Sequence, residues 1–443
     1  MESADLTDRC LARIAELDPA VNAVLAVDPT ARAQAEAADR RRAAGRRLSP
    51  LDGIPVLVKD NIDTEGLGGS CGSRLLTAPP VRDAGVVRAL RAAGAVLLGK
   101  TNLSEWANFR AAVVTEGWSG AGGQTRNPHV LSHSPWGSSS GSAAAVAAGM
   151  APLALGTETD GSIVGPAGAC GVVGCKPEPG LLPGNGICPV SPAQDSVGVF
   201  AAHVRDALSA VAVLSGGQWP PAEPGPIRFG CWHPPGMPEE SVELVASAAD
   251  RLRAAGNEVV PVRLELPRSV RADGLRALFA EFRPALEDYL ARRPGNPGTL
   301  RELIRLNRTD PVELALFEQD LFEQCADIDE RERLAAARAG VLARAAARQV
   351  IDTVLREHGV AAVLAPSNPP AWPIDHEVGD PFPSSSSTPA ALAGYPVVSV
   401  PVGCHGDLPV GMSVFGPATL AGLLPAALAA AAVGVLPAPR FLP

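Results

Sequence analysis

Pro135-Trp-Gly-Ser-Ser-Ser-Gly-Ser-Ala-Ala-Ala145 is the stretch on which the reading of the fold turns. Three consecutive serines stand between glycines, and the chain then enters a run of small residues, 143–148, whose composition predicts a closely packed helix. Short apolar runs flank it at 54–58 and 95–98 upstream and at 152–156 and 171–175 downstream, with a helical pattern over 83–93. Strand and helix patterns in alternation predict an α/β protein, a sheet covered by helices. Further out, the first 30 or so residues read as an amphipathic helix that breaks near Asp18-Pro19, and the Arg-rich residues 31–47 as a second, solvated one. Residues 216–226 are a loop by composition. A β-α-β pattern resumes with 227–231, 241–255 and 258–262. Residues 270–358 are helix-rich, interrupted near Arg293-Pro294-Gly295, and strand patterns return at 361–365, 396–402 and 410–415. Strands on both sides of the helical segment favour one large mixed sheet with a helix-rich insertion over separate domains. The expectation is a single domain over 1–443: N-terminal helices to 50, a core over 51–215, the helix-rich segment 216–358, and a return to the core sheet over 359–443.

Composition removes several classes of function. With 46% hydrophobic and 19% charged residues the chain can bury a large core. A net charge of −9 argues against nucleic acid or an anionic membrane surface as partner. The eight cysteines are scattered without a CxxC pair, which reads as free thiols in a reducing compartment, and no Cys/His set has zinc-ligand spacing. The N-terminus has early acids and no apolar signal segment, so a cytoplasmic protein is expected. The uncharged stretch 416–439 is long enough to span a bilayer, but its Ala/Gly content and two prolines predict a buried helix at the end of the sheet domain. Of the 38 basic residues only Lys59, Lys100 and Lys176 are lysines. A lysine kept against such a bias can supply what arginine cannot, an amine able to lose its proton when buried.

Three patterns compete for the chemistry. Gly94-Ala-Val-Leu-Leu-Gly-Lys-Thr101 has the spacing of a phosphate-binding loop, but its four inner residues read as a buried strand preceded by a helix, the wrong context. Gly137-Ser-Ser-Ser-Gly141 matches the GxSxG of a serine esterase, with Ser139 as nucleophile, but the polar, proline-broken residues before it give no strand for a nucleophile elbow. The third pattern is spread over the chain: Leu51-Asp-Gly-Ile-Pro-Val-Leu-Val-Lys-Asp-Asn61, the Ser/Gly run, and Gly156-Thr-Glu-Thr-Asp-Gly-Ser-Ile163.

Through these three segments the chain resembles the amidase signature family, densely over about 51–200 and more loosely through Ala393-Gly-Tyr-Pro-Val-Val-Ser-Val-Pro-Val-Gly403 and Leu408-Pro-Val-Gly-Met412. The resemblance implies the amidase signature fold and a Ser–cisSer–Lys triad. In this sequence Ser162 would be the nucleophile, Ser138 the bridging serine on a cis peptide bond, and Lys59 the base. The oxyanion hole would be the backbone N–H groups of Thr159, Asp160, Gly161 and Ser162. Neither a metal nor an organic cofactor is implied. The assignment makes chemical sense: a serine hydroxyl needs a base, a lysine serves only when neutral, and burial makes it so. Ser139 and Ser140 remain neighbouring candidates for the bridge. Ser139, Trp136 and Gln124 are read as substrate-binding or supporting residues, with Trp136 either narrowing the acyl pocket or packing. Lys100 and Lys176 are read as structural.

Two departures bear on substrate. Val164 stands where many members carry an arginine that binds a substrate carboxylate, which disfavours an acidic substrate, and Glu178 stands where Thr often follows Lys-Pro. Asn102-Leu-Ser-Glu-Trp-Ala-Asn-Phe109, Gly123-Gln-Thr-Arg-Asn-Pro128 and Ala371-Trp-Pro-Ile374 look most like the peptide amidase branch. The resemblance therefore implies an amide hydrolase releasing ammonia from a small-molecule or peptide amide. An acyl transferase using the same triad with an amine acceptor stays open. The oligomeric state is not readable from sequence.

Overall fold

The computed structural model describes residues 1–217, 219, 225–381 and 384–443. Eleven strands form one mixed sheet: β1 (Val24–Val27), β2 (Pro55–Lys59), β3 (Val96–Thr101), β6 (Leu153–Glu158), β7 (Val173–Lys176), β8 (Ser196–Ala201), β9 (Arg228–Cys231), β10 (Glu258–Pro261), β11 (Ala362–Pro366), β12 (Val397–His405) and β13 (Leu408–Phe415). A separate two-residue hairpin pairs β4 (Trp118–Ser119) with β5 (Gly123–Gln124). The strand order is β1-β3-β2-β6-β8-β7-β12-β13-β11-β9-β10. Strands before residue 202 thus fill one side of the sheet and later strands the other, joined where β7 runs antiparallel to β12. The continuous sheet expected from strands on both sides of the helical segment is present.

The site is positioned by the parallel triple β3-β2-β6. All five residues of β2 and all six of β3 and β6 are buried, which is why these segments read as continuous apolar runs instead of alternating ones. Because β2 and β6 are parallel, with Val58 paired to Leu155, both end on the same edge of the sheet. Lys59 closes β2 there, and the chain leaving β6 after Glu158 becomes the Thr159–Ile163 loop beside it. Active sites of open α/β sheets form outside the carboxyl ends of such strands.

The Ser/Gly run supplies the third part. Its helix, Ser140–Ala147, lies on this sheet with Ala143, Ala144 and Ala145 fully buried against Leu57, Leu98, Ala154 and Phe200. At Gly141 the helix touches other backbone: its N–H donates to Asn102 O, and a Cβ there would stand 2.6 Å from that oxygen and 2.7 Å from Asn102 N.

Several elements differ from the sequence expectation. The first helix does not break at Pro19 but runs Ser3–Val21, ending on Asn22 in the left-handed region. The Asp18 carboxylate secures that end by accepting Ala23 N–H at 2.6 Å and Val24 N–H at 3.1 Å, and β1 follows at once. The solvated second helix is shorter, Ala31–Ala43. Strand β8 and helix Val204–Leu214 were not anticipated from sequence. The helix-rich segment is built of Arg268–Leu290, Leu300–Asn307, Asp320–Asp327 and Glu330–His358, with the expected interruption near 293. Of the loop at 216–226, residues 218 and 220–224 lie outside the described residues. The apolar C-terminal stretch forms helix Leu420–Ala432, packed into the core through Leu420, Leu423 and Ala427. No helix of the described residues is long and apolar enough to cross a membrane. All eight cysteines are free, and among the described residues no group of three or more His, Cys, Asp or Glu could hold a metal.

Gly141→Ala is expected to lower stability by about 1–3 kcal/mol, since the added methyl meets fixed backbone instead of a side chain that can turn away. Urea unfolding of the variant checks this, and an unchanged midpoint would show that the helix can move off Asn102.

Candidate active site

Lys59 is fully buried, and its amine is ringed by oxygen. Nζ lies 2.8 Å from Ser138 Oγ, 3.0 Å from Ser139 Oγ, 3.0 Å from Thr157 Oγ1 and 3.4 Å from Thr157 O. Asn61 Nδ2 donates to Thr157 Oγ1 at 2.9 Å and so fixes that hydroxyl. Burial pushes the Lys59 amine down to about 7, against the pull of Glu116, Asp195 and Glu158. Desolvation disfavours the ammonium more than those anions favour it, so a neutral amine is accessible near neutral pH.

The three serines of the run occupy different positions. The Gly137–Ser138 peptide is cis, and the Ser138 carbonyl accepts Ser104 N–H at 3.0 Å. Ser139 Oγ donates to Thr157 O at 3.0 Å and accepts from Thr157 N at 3.2 Å, and its own N–H donates to Ser162 O at 3.3 Å. A hydroxyl so committed, fully buried and at a helix start with no strand before it, does not have the setting of a nucleophile elbow. Ser140 Oγ is buried without a described partner.

The loop after β6 is held at both ends. Glu158 Oε2 accepts Ile163 N–H at 2.6 Å and Val164 N–H at 3.0 Å, folding the segment back on itself, while Gly161 turns it at φ 86°. Thr159 Oγ1 donates to Asp195 at 2.6 Å, and Ser387 Oγ donates to Asp160 Oδ1 at 2.5 Å. Asp160 is exposed, and desolvation by the protein around its carboxyl pushes it up to about 6 against the hydrogen bond from Ser387. The N–H groups of Asp160, Gly161 and Ser162 donate to no described acceptor, the property an anion-binding loop needs. Ser162 is half-buried, and its hydroxyl hydrogen-bonds to none of the described residues. Next to this loop a cavity of about 340 Å³ is lined by Thr157, Thr159, Asp195, Asp288 and Arg292 together with Leu182 and Val190.

The structure thus brings Lys59, Ser138, Ser139 and the Ser162 loop together. Trp136 is buried, packed at a ring distance of 5.1 Å on Trp372 and against Gly165, where a Cβ would stand 2.6 Å from its Nε1. Its position serves packing behind the loop. Gln124 spends its amide on the carbonyls of Glu116 (2.8 Å) and Thr125 (2.7 Å), bracing the β4–β5 hairpin. Val164 is fully buried and offers no cation to a substrate. Lys100 lies inside β3, bonded to Ile62 O and Thr64 Oγ1, so the phosphate-loop spacing has no loop. Lys176 donates to Tyr395 O at 2.8 Å, tying β7 to the turn before β12. Glu178 accepts Leu420 N–H at 2.9 Å, a carboxylate at the start of the last helix. Thr157, Asn61 and Glu158 went unnoticed in the sequence although they stand inside the quoted motifs, because nothing about a Thr or Asn in a strand end signals its partner.

A buried amine against a serine, beside a loop with free N–H groups, is the equipment of an amide-cleaving enzyme, and the chain belongs to the Amidase family, whose model it matches over residues 5–420. It is an amidase, a hydrolase acting on amides. Among its relatives, a probable amidase of Arabidopsis thaliana is 34% identical over 94% of this chain and 83% of that protein. A glutamyl-tRNA(Gln) amidotransferase subunit from Roseiflexus sp. (strain RS-1) is 36% identical over 94% and 89%. Peptide amidase PAM, solved with the competitive inhibitor chymostatin, superposes with a TM-score of 0.93 at 40% identity, covering 100% of this chain and 96% of that one. Native peptide amidase from Stenotrophomonas maltophilia gives 0.89 at 38%, with the same coverage.

Thr157→Val keeps the shape of the strand end but leaves Asn61 Nδ2 without its acceptor and Lys59 short of one oxygen. A loss of about 1–3 kcal/mol is expected, measured by urea unfolding; an unchanged midpoint would mean the hydroxyl is dispensable to the cluster.

Proposed function

We propose that this amidase hydrolyses a primary amide, a peptide C-terminal carboxamide, through an acyl-enzyme on Ser162. The observation that carries the reading is the fully buried Lys59 amine 2.8 Å from Ser138 Oγ, with the Ser162 loop bonded to the adjacent Ser139. Neutral Lys59 takes a proton from Ser138 as Ser138 takes one from Ser162, and Ser162 Oγ attacks the carbonyl carbon. A hydroxyl can relay in this way because it both donates and accepts. Negative charge develops on the carbonyl oxygen, where the N–H groups of Thr159, Asp160, Gly161 and Ser162 receive it; one such donor is worth about 3–4 kcal/mol. The C–N bond then breaks as the proton returns along the same path to nitrogen, which leaves as ammonia, and water cleaves the ester by the reverse sequence. The neighbouring cavity, lined by Leu182 and Val190 as well as by Asp195, Asp288 and Arg292, offers room for the acyl group. Its likeness to the peptide amidases, at about 40% identity over the whole chain, supports the peptide carboxamide as substrate.

A fluorophosphonate is expected to label Ser162, located by peptide mass mapping; an adduct on Ser139 would overturn the assignment. Ammonia release from a panel of peptide amides, with and without an added amine, separates hydrolysis from acyl transfer. Lys59→Arg, whose guanidinium holds its proton and so cannot act as a base, is expected to cut kcat by roughly 10³-fold or more, the scale on which removing a member of a serine triad acts. In the wild type, kcat/KM falls as pH drops through about 7, because protonated Lys59 can accept nothing.

A further inference from the structure

The Thr159–Ile163 loop is held from outside by a residue the mechanism above does not use. Gln194 is buried, and its Nε2 donates to the Thr159 carbonyl at 3.0 Å. Its neighbour Asp195 takes the other polar group of the same residue, accepting from Thr159 Oγ1 at 2.6 Å. The segment that carries both is closed on itself. Asp195 Oδ2 accepts the N–H groups of Val190 at 2.9 Å and Ser191 at 3.0 Å, and the Ser191 carbonyl accepts those of Gln194 at 2.9 Å and Asp195 at 2.8 Å. Ser191 Oγ also donates to Glu281 of helix Arg268–Leu290, whose other carboxylate oxygen accepts from Arg344 at 3.3 Å. The turn is thus anchored to the helix-rich segment as well as to the sheet, where β8 begins at Ser196.

A peptide unit is planar and trans, so its C=O and N–H point in opposite directions. Fixing the Thr159 carbonyl on Gln194 therefore fixes the direction of the Asp160 N–H, which is turned away from the 190–195 turn and donates to no described acceptor. Among the described residues nothing else holds this plane. The Glu158 carboxylate takes N–H groups only from Ile163 and Val164, Ser387 holds the Asp160 side chain and not its backbone, and Gly161 gives the chain after it extra freedom. We propose that Gln194 is a positioning residue of the oxyanion hole: its amide locks the Thr159–Asp160 peptide with the N–H facing the substrate's carbonyl oxygen, and Asp195 keeps Thr159 from turning. The role rests on this loop being the oxyanion hole of the mechanism above. A carbonyl can only accept, so the residue opposite it must donate, and the glutamine amide does so. A hydrogen bond accepted by the carbonyl also polarises the peptide and strengthens its N–H as a donor. A donor aimed before the reaction costs no reorganisation when charge develops.

Two variants of similar length test it. Gln194→Met removes the donor, and Gln194→Glu sets an acceptor against the Thr159 carbonyl. On a peptide amide both are expected to lower kcat by roughly 10- to 100-fold with KM changed by less than about three-fold, because the bond is used in the transition state and not in the ground state. Two inhibitors of one peptide sequence separate positioning from a merely structural role. The peptide aldehyde forms a hemiacetal with Ser162 and places an oxygen in the hole; the peptide alcohol binds but cannot form it. Affinity for the aldehyde is expected to fall by the same factor as kcat/KM, while affinity for the alcohol stays. Equal loss of both, or an aldehyde bound as tightly as before, overturns the proposal. If neither Gln194 variant folds, Thr159→Val, which takes away the bond to Asp195, is expected to show the same split to a smaller extent, and its absence counts against the proposal in the same way. A fluorophosphonate adduct on another serine of the wild type overturns the underlying mechanism; an adduct on Ser162, with Gln194 variants that keep the wild-type kcat, overturns the positioning role alone.

Discussion

Holding an amine with no exposed surface against four oxygen contacts is the constraint around which this fold is arranged. An ammonium pays heavily for leaving water, so the site favours the neutral amine, and the protein must still supply enough hydrogen-bonding oxygen for the nitrogen to stay in place. Ser138 and Ser139 come from one side and Thr157 from the other. This convergence requires β2 and β6 to end together on one edge of the sheet, which parallel pairing provides. It also requires the Ser/Gly run to come within hydrogen-bond distance, which explains a helix of alanines that can lie close on the strands.

The same economy runs through the other two lysines. Lys59, Lys100 and Lys176 are all buried, and each amine is turned to oxygen atoms of the protein. Lys100 stands 3.6 Å from Asp60 and Lys176 ties β7 to the Tyr395 turn, so two of the three hold the frame around the third. Glu158 has a comparable part in the Thr159–Ile163 loop, where its carboxylate gathers the N–H groups of Ile163 and Val164 and leaves the preceding ones without a described acceptor.

Much of the frame was legible because buried parallel strands announce themselves as unbroken apolar runs: β2, β3, β6 and the pair β12–β13 lie within a few residues of where those runs place them. β8 was missed, for its Ser196-Val-Gly-Val-Phe-Ala201 mixes small and apolar residues and follows a long irregular stretch. Pro19 misled because the single N–H it lacks did not stop the helix over the two residues that remain, and the Asp18 carboxylate secures the end beyond them by accepting the Ala23 and Val24 N–H groups. At the site, the meeting of Lys59, Ser138 and the Ser162 loop could be expected because contiguous motifs carry them. The contact of Gln194 with Thr159 could not: 35 positions separate its partners, and no periodicity or motif links them. Trp136 and Gln124, read from sequence as substrate-binding or supporting, lie in packing behind the loop and in the bracing of a hairpin, and which of the two they would be was not legible because a motif marks a neighbourhood and not the direction in which a side chain points.

With only three lysines in the chain, the protonation state of Lys59 can be observed directly. Protein grown with ¹³Cε-lysine should give three side-chain signals, of which Lys59→Met removes one and so assigns it. Titration of that signal with a midpoint near pH 7, well below the ordinary lysine range, is the result predicted for a base that works as a neutral amine. A Lys59 signal that stays that of an ammonium to pH 10 would contradict the account at its centre.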